Sequence, residues 1–252
     1  QWLLRIDDID PPREVAGSTQ AILATLSRLE LTAAAPPLHQ SRRGAAYAQA
    51  LRQLQDDGHA FPCWCSRADL EGAGAIHRDG HCISPRHEGR EPAWRLRVPD
   101  VDIGFDDDLQ GMQRQNVRDA VGDFVLRRAD GLWSYQLACV VDDAAQGITE
   151  VVRGRDLLDS TPRQILLQRL LELPTPAYLH LPLAVDAQGR KLSKSSDAPA
   201  VDLADPFAAL ASALRFLGQP VPAAEDVATL LRVAAQGFDL SPLRGIPARS
   251  WP

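Results

Sequence analysis

Lys191-Leu192-Ser193-Lys194-Ser195 is the stretch around which the sequence organises itself: two lysines three apart, interleaved with hydroxyls, after an apolar run at 180–185 and a turn ending at Gly189. A loop of this composition after a strand suits a polyphosphate. When a carboxylate attacks the α-phosphorus of ATP, charge builds on the phosphoryl oxygens and on departing pyrophosphate, and ammonium groups there stabilise it. The loop is not a P-loop, because the chain contains no G-x-x-x-x-G-K-[ST]. Alone it also reads as a solvated Lys/Ser turn, so its surroundings decide.

Upstream of it, Ser160 or Thr161 caps a helix with Pro162 in the first turn and Leu166, Leu167, Leu170 and Leu171 as the apolar stripe. Residues 123–127 read as a strand, Asp130-Gly131 as a turn, and residues 135–141 as a second strand. At the start, residues 2–6 read as a buried strand, broken by the acids and prolines of 7–13. Ser18 then offers an N-cap to a helix carrying Ile22, Leu23, Leu26 and Leu29. A second helix is predicted over 43–57, with Tyr47, Ala50, Leu51 and Leu54 on one face and Gly58 as its stop. From 61 to 122 the periodicity weakens, apart from one alternating strand at 94–98, and the stretch reads as an inserted subdomain. Beyond Asp205 the chain reads as short, mostly helical segments. The expected class is α/β, divided into a first catalytic half at 1–61, an insertion at 62–122, a second half at 123–198 and a helical end at 199–252.

With 252 residues and 45% hydrophobic content the chain can bury a core. Its apolar runs at 137–141 and 165–167 fall far short of the roughly 20 residues of a membrane span, and no charged start with an apolar h-region opens the chain. A cytoplasmic protein without membrane contact is expected. A net charge of −6 argues against broad attraction to polyanions, yet Arg127, Arg128, Arg153, Arg155, Arg163 and Arg169 leave room for a local basic face. Cys63-x-Cys65 followed by Cys82 supplies three thiols, and His77 or His81 an imidazole, for a closed tetrahedral zinc site that pins the insertion. In a reducing compartment such a site explains the cluster better than a disulfide does. Cys139, in an apolar run, reads as a core thiol.

Several further motifs stand in a fixed order: Arg5-Ile6-Asp7-Asp8-Ile9-Asp10; Gln40-Ser41-x-Arg43 with Tyr47; Tyr135-x-Leu137 with Val141-Asp142-Asp143; Gly147-Ile148-Thr149; and Val152-Arg153-Gly154-x-Asp156-Leu157-Leu158 with Thr161-x-Arg163-Gln164. Together with the lysine loop, which resembles the KMSKS signature, they resemble the glutamyl branch of the class I aminoacyl-tRNA synthetases over most of residues 1–218. Within that branch the chain most resembles the glutamyl-Q tRNA(Asp) synthetase family, through Ile9-Asp10-Pro11-Pro12-Arg13 and the short stretch that follows the lysine loop.

The resemblance implies a Rossmann-like catalytic domain with a zinc-bearing insertion and a small helical C-terminal part. It implies a ligase that activates L-glutamate with ATP and magnesium and transfers it to queuosine in the anticodon of tRNA(Asp), acting as a monomer. Tyr135 and Arg153 match the glutamate-binding positions, and a guanidinium suits a carboxylate because it offers two parallel hydrogen bonds. Asp7 stands where the family commonly has Glu for the substrate ammonium; the shorter acid makes that contact indirect. Lys191 and Lys194 match the catalytic lysines, Lys194 at the ATP phosphates. Cys63, Cys65, His77 and Cys82 match a structural zinc site, with His77 where the family has Tyr. The family's proline- and glycine-rich stretch and HIGH-like motif are not in this sequence, so it reads as lacking the first strand and helix and is expected to bind ATP poorly as it stands. Two alternatives remain: part of an ordinary glutamyl-tRNA synthetase acting on tRNA(Glu), and a catalytically dead, zinc-stabilised RNA-binding module.

Overall fold

The computed structural model describes residues 1–72, 76–192, 201 and 203–251. Strand β1 (Arg5–Ile6) lies parallel to β2 (Leu38–His39), with helix α1 (Ser18–Arg28) between them in sequence. Gly17, not Ser18, is the N-cap of α1, at φ 81°, and Ile22 points to solvent. Helix α2 (Gly44–Asp56) buries the predicted face of Tyr47, Ala50, Leu51 and Leu54, and Gly58, at φ 74°, stops it with the left-handed turn that glycine adopts without steric cost.

Three antiparallel strands follow, in the order β3 (Ala60–Cys63), β4 (Ala93–Leu96) and β7 (Val125–Arg127). The weakly periodic region also holds two short helices, α3 (Arg67–Gly72) and α4 (Val117–Ala120), and, between β4 and β7, a hairpin, β5 (Asp102–Asp107) and β6 (Gly111–Asn116), which the hydrophobic pattern does not announce. Only Ile103 and Asp107 of β5 are buried, and β6 is an edge strand of polar residues, so no clean alternation exists to be read. The hairpin joins β8 (Glu150–Gly154) and β9 (Ala177–Leu181) in a four-stranded sheet of order β6-β5-β9-β8, in which β5, β9 and β8 run parallel.

The largest correction concerns residues 135–141. They form not a strand but the start of helix α5 (Tyr135–Ala145), whose Ser134 N-cap accepts a hydrogen bond from the Leu137 amide at 3.3 Å. A short apolar run is buried on every side either way, and its periodicity cannot separate strand from helix. Helix α6 (Thr161–Leu170) follows, with Pro162 in its first turn and Ile165, Leu166 and Leu167 buried. The core lies where α2, α5 and α6 meet the sheets, around Tyr47, Leu54, Leu96, Ile103, Leu137 and Leu167. Each such side chain contributes about 1.5–3 kcal/mol on burial.

Pro182 has no amide hydrogen to donate, and it separates β9 from β10 (Leu183–Val185). After helices α7 (Pro206–Phe216) and α8 (Val227–Gln236), the chain does not stay helical. Residues Ala248–Ser250 form β11, parallel to β10. Among the described residues, no helix is long and apolar enough to cross a membrane.

Candidate active site

Because 135–145 is helical, Tyr135, Cys139 and Asp143 fall at i, i+4 and i+8 on one stripe of α5, and that stripe meets β1. Arg5 of β1 spans it. Its Nη2 donates to Cys139 Sγ at 3.2 Å, its Nη1 donates to Asp143, and its Nε donates to Asp7 at 2.8 Å. Burial raises the Asp143 carboxyl above its ordinary range, against the pull of Arg5 and Arg153. Burial likewise pushes the Tyr135 phenol up; the Cys139 thiol adds to this, the field of Arg153 opposes it, and Asp7 reinforces it. Tyr135, Arg153 and Asp7 thus lie within electrostatic reach of one another, although they come from α5, β8 and the loop after β1.

Arg153 is held on three sides. It faces His180 across the parallel β8–β9 register and donates from Nε to His180 Nε2 at 3.0 Å. Its Nη2 donates to Thr161 Oγ1 at 2.8 Å, and its guanidinium lies 5.5 Å from the Tyr178 ring centroid. Nη1 takes no hydrogen bond among the described residues, which leaves that edge for a carboxylate. Lys191 sits nearby: its Nζ reaches Asp156 Oδ2 at 2.5 Å. Asp156 Oδ1 in turn lies 2.6 Å from where a Cβ on Gly154 would stand, so a side chain there would push this carboxylate out of its present place. Lys194 lies outside the described residues.

Two hubs frame the pocket. The Asp142 carboxylate, fully buried, accepts from Gln40 Nε2 at 3.0 Å, Arg43 Nε at 2.9 Å and Tyr47 Oη at 2.6 Å, tying α2 to α5. Asp8 accepts from Ser41 N at 2.8 Å and Ser41 Oγ at 2.7 Å, which joins the exits of β1 and β2. The Gln-Ser-x-Arg motif with Tyr47 is therefore a set of donors for two buried or half-buried carboxylates.

The thiols of Cys63, Cys65 and Cys82 lie within 4.8 Å of one another. Burial opposes ionisation of Cys65, yet hydrogen bonds from Ser84, from the Cys63 thiol and from the amides of Ile83 and Ser84 outweigh it and bring the thiol down to about 6. Burial pushes Cys63 up to about 12. His77 is not part of this cluster. Its Nδ1 hydrogen-bonds with Asp123 Oδ2 at 2.8 Å, its ring packs 5.5 Å from that of Phe61, and its buried Nε2 has no partner among the described residues. The exposed His81 turns its Nδ1 to the Asp79 carbonyl at 2.7 Å.

Residues 1–236 match the family described as tRNA synthetases class I (E and Q), catalytic domain. The chain belongs to this class I tRNA synthetase family. A glutamyl-Q tRNA(Asp) synthetase of Xanthomonas axonopodis pv. citri is 57% identical over 242 residues, covering 94% of this chain and 80% of that protein. Proteins of the same description from Cupriavidus metallidurans and Neisseria meningitidis serogroup A are 49% and 47% identical, covering 99% and 95% of this chain and 85% of each relative. In fold, a glutamate tRNA ligase from Elizabethkingia meningosepticum, solved in complex with its amino acid, superposes with a TM-score of 0.79 at 22% identity, covering 99% of this chain and 60% of its own. The glutamate-tRNA synthetase of Elizabethkingia anophelis gives 0.78 at 23%, covering 98% and 60%. This chain therefore spans about 60% of the length of both structures.

For a member of this family the motif reading missed much of the pocket's supporting cast. Arg5 and Asp143 sat inside recognised motifs without a role, and Cys139 was a core thiol that proves to face Arg5 and Tyr135. Asp107 and His180 carried no pattern at all.

Proposed function

We propose that the protein activates L-glutamate with ATP to glutamyl-adenylate and transfers the glutamyl group to queuosine in the anticodon of tRNA(Asp). The observation that carries this reading is the 57% identity, across 94% of the chain, to a relative of that description. The Arg153 pocket supports the glutamate part. The α-carboxylate has to stay free to attack, so the carboxylate that Arg153 grips through its open Nη1 edge is that of the side chain. Tyr135 orients the substrate, and Asp7, held by Arg5, faces its ammonium.

In the first step an α-carboxylate oxygen attacks the α-phosphorus while the bond to pyrophosphate breaks. Lys191 and Lys194 stabilise the charge that builds. Asp156 holds Lys191 Nζ at 2.5 Å, a pair that a polyphosphate competes for. Magnesium, entering with ATP, supplies further charge neutralisation. A hydroxyl of the modified nucleoside then attacks the acyl carbon and AMP leaves.

The cysteine cluster fits a structural zinc ion: three thiols lie within 4.8 Å, one of them with its pKa lowered to about 6. Cys63, Cys65 and Cys82 hold the ion in this reading. The fourth ligand expected from the sequence, His77, stands outside this group in the structure, so its side chain would have to turn to bring the unpartnered Nε2, which the Asp123 contact at Nδ1 leaves free, to the ion. The chain divides into 1–61, 62–122, 123–198 and 199–252, with the β5–β6 hairpin tying the insertion to the second half through Asp107↔Tyr178. It acts in the cytoplasm, as a monomer.

Glutamate-dependent pyrophosphate exchange without tRNA, and charging of tRNA(Asp) with and without queuosine, test this reading in the full-length protein. Glutamylation of tRNA(Glu) in place of queuosine-bearing tRNA(Asp) points to an ordinary glutamyl-tRNA synthetase. No exchange at all points to an RNA-binding module. Metal analysis tests the ligand set: Cys65→Ser loses zinc, and full retention overturns it.

A further inference from the structure

We infer that Asp107 and His180 form a positioning relay that sets the tautomer of the imidazole and thereby the aim of the Arg153 guanidinium. This rests on Arg153 being the carboxylate-gripping residue argued above. The three residues lie on adjacent strands of one sheet, β5, β9 and β8. Asp107 pairs across the ladder with Tyr178, and His180 with Arg153. Both Asp107 and His180 side chains are fully buried.

The direction of the hydrogen bonds carries the inference. A carboxylate only accepts, so the 2.5 Å contact between Asp107 Oδ2 and His180 Nδ1 puts the proton on Nδ1. Nε2 is then a bare lone pair, as the Arg153 Nε–H facing it at 3.0 Å requires. The opposite tautomer, or an imidazolium, sets N–H against N–H at that contact. Thr161 closes the triangle: its Oγ1 lies 3.3 Å from His180 Nε2 and accepts from Arg153 Nη2 at 2.8 Å, so its own proton is free to go to Nε2.

The far end of the relay is equally fixed. Asp107 Oδ1 accepts from the amides of Leu109 at 3.1 Å, Gln110 at 2.8 Å and His180 at 3.2 Å, so the carboxylate cannot turn away. With Nε and Nη2 engaged and Tyr178 stacked against the guanidinium, Arg153 presents Nη1 in one orientation before any substrate arrives.

A pair that only stabilised the sheet would need no particular tautomer and would touch no kinetic constant selectively. The test therefore combines nitrogen NMR with exchange kinetics. In ¹⁵N-labelled full-length protein, the His180 resonances, assigned by their loss in His180→Gln, are expected to show a neutral Nδ1–H ring at pH 7. Asp107→Asn places an amide N–H₂ opposite Nδ1, inverts the tautomer and turns a donor toward Arg153. It is expected to raise the glutamate KM in pyrophosphate exchange by about 10- to 100-fold, the range for losing a hydrogen bond to a charged group. The ATP KM stays within about twofold, well under the tenfold that 1.4 kcal/mol makes. His180→Gln restores an acceptor near Arg153 and is expected to recover part of the glutamate KM that His180→Leu loses. A protonated Nε2 in the wild-type spectrum overturns the relay. So does a glutamate KM unmoved in Asp107→Asn, or a parallel rise in both KM values together with a loss of thermal stability. If Asp107→Asn does not fold, the wild-type spectrum and the His180 pair decide. If the wild-type protein shows no glutamate-dependent exchange, the glutamate reading fails instead, and the spectrum still judges the relay.

Discussion

The Arg153 pocket and the cysteine cluster are built on opposite principles. Among the described residues, the pocket's charged side chains have protein partners: Arg5 has Asp7 and Asp143, Arg153 has His180 and Thr161, and Asp142 has Gln40, Arg43 and Tyr47. In the cluster, three thiols are gathered within 4.8 Å with only weak donors and acceptors around them, and His77, outside that group, keeps a buried Nε2 with no partner among the described residues. Buried polar groups are normally satisfied; the pocket's charged groups largely satisfy one another, with Gln40 Oε1 left without a partner among the described residues, whereas the three gathered thiols suit an external ligand. The pocket is thus organised before its substrate arrives, whereas the insertion, in the zinc reading proposed above, takes its final form with a metal.

The contrast can be broken most sharply at Asp142. Asp142→Ala strips the acceptor from three donors between α2 and α5, and removing one member of a buried charged pair costs about 3–5 kcal/mol. A urea melt of that variant is expected to show a loss of this size, and a loss below about 1 kcal/mol would mean that the frame is not what holds the pocket.

Next in size is Arg153→Lys. The lysine keeps the charge but offers no planar fork to share between His180, Thr161 and a substrate carboxylate. Glutamate kcat/KM should fall by about 10- to 100-fold, with zinc content unchanged. A parallel loss of zinc would show the two regions to be one unit.

At the cluster, Asp123→Ala removes the acceptor that orients His77. Zinc affinity, measured by competition with a chelating dye, is expected to weaken by about 10- to 100-fold, as the loss of a carboxylate behind a metal-ligating histidine typically makes it. Glutamate KM should hold. Unchanged zinc affinity would exclude His77 as a ligand.

The smallest effect is one of pH. Burial lowers the His180 pKa, against the hydrogen bond that its Nδ1 donates to Asp107, while Arg153 lowers it further and the charges of Asp107 and Asp156 oppose. The unfolded chain then binds the proton first. This contribution is complete above pH of about 6.5 and is lost as pH falls below it, by at most about 1.4 kcal/mol per pH unit. Thermal melts between pH 7.5 and 5.5 should show a steeper acid loss for the wild type than for His180→Gln. Equal slopes would mean that the ring is not held neutral.

Much of this was legible in the sequence. Helix α2 is an amphipathic pattern closed by a glycine, so local signal and tertiary burial agree there; α6 keeps its proline in the first turn, but its burial takes in Thr161, Gln164 and Gln168 beside Leu166 and Leu167 and does not follow the expected leucine stripe. The strand expected at 135–141 failed because its apolar residues are buried around the whole helix, which erases the period. That error also hid the pocket: as a strand, Tyr135, Leu137 and Cys139 would share a face, and as a helix Tyr135, Cys139 and Asp143 do. The β5–β6 hairpin and β11 escaped notice because β6 and β11 are edge strands with little apolar character and only Ile103 and Asp107 of β5 are buried, so none of the three carries a hydrophobic alternation.

What the sequence determined by itself was the family, the cysteine cluster and the identity of the groups that meet charged ligands, because motif order and spacing are properties of the chain alone. What the tertiary structure decided was partnership. Asp107, His180 and Arg153 are up to 73 residues apart, and only the strand order β5-β9-β8 turns them into a directed chain of hydrogen bonds. Asp142 lies about as far from its donors, 95 to 102 residues along the chain. The reason is physical: a side chain's type is local, but the direction of a hydrogen bond depends on which acceptor the fold brings opposite it.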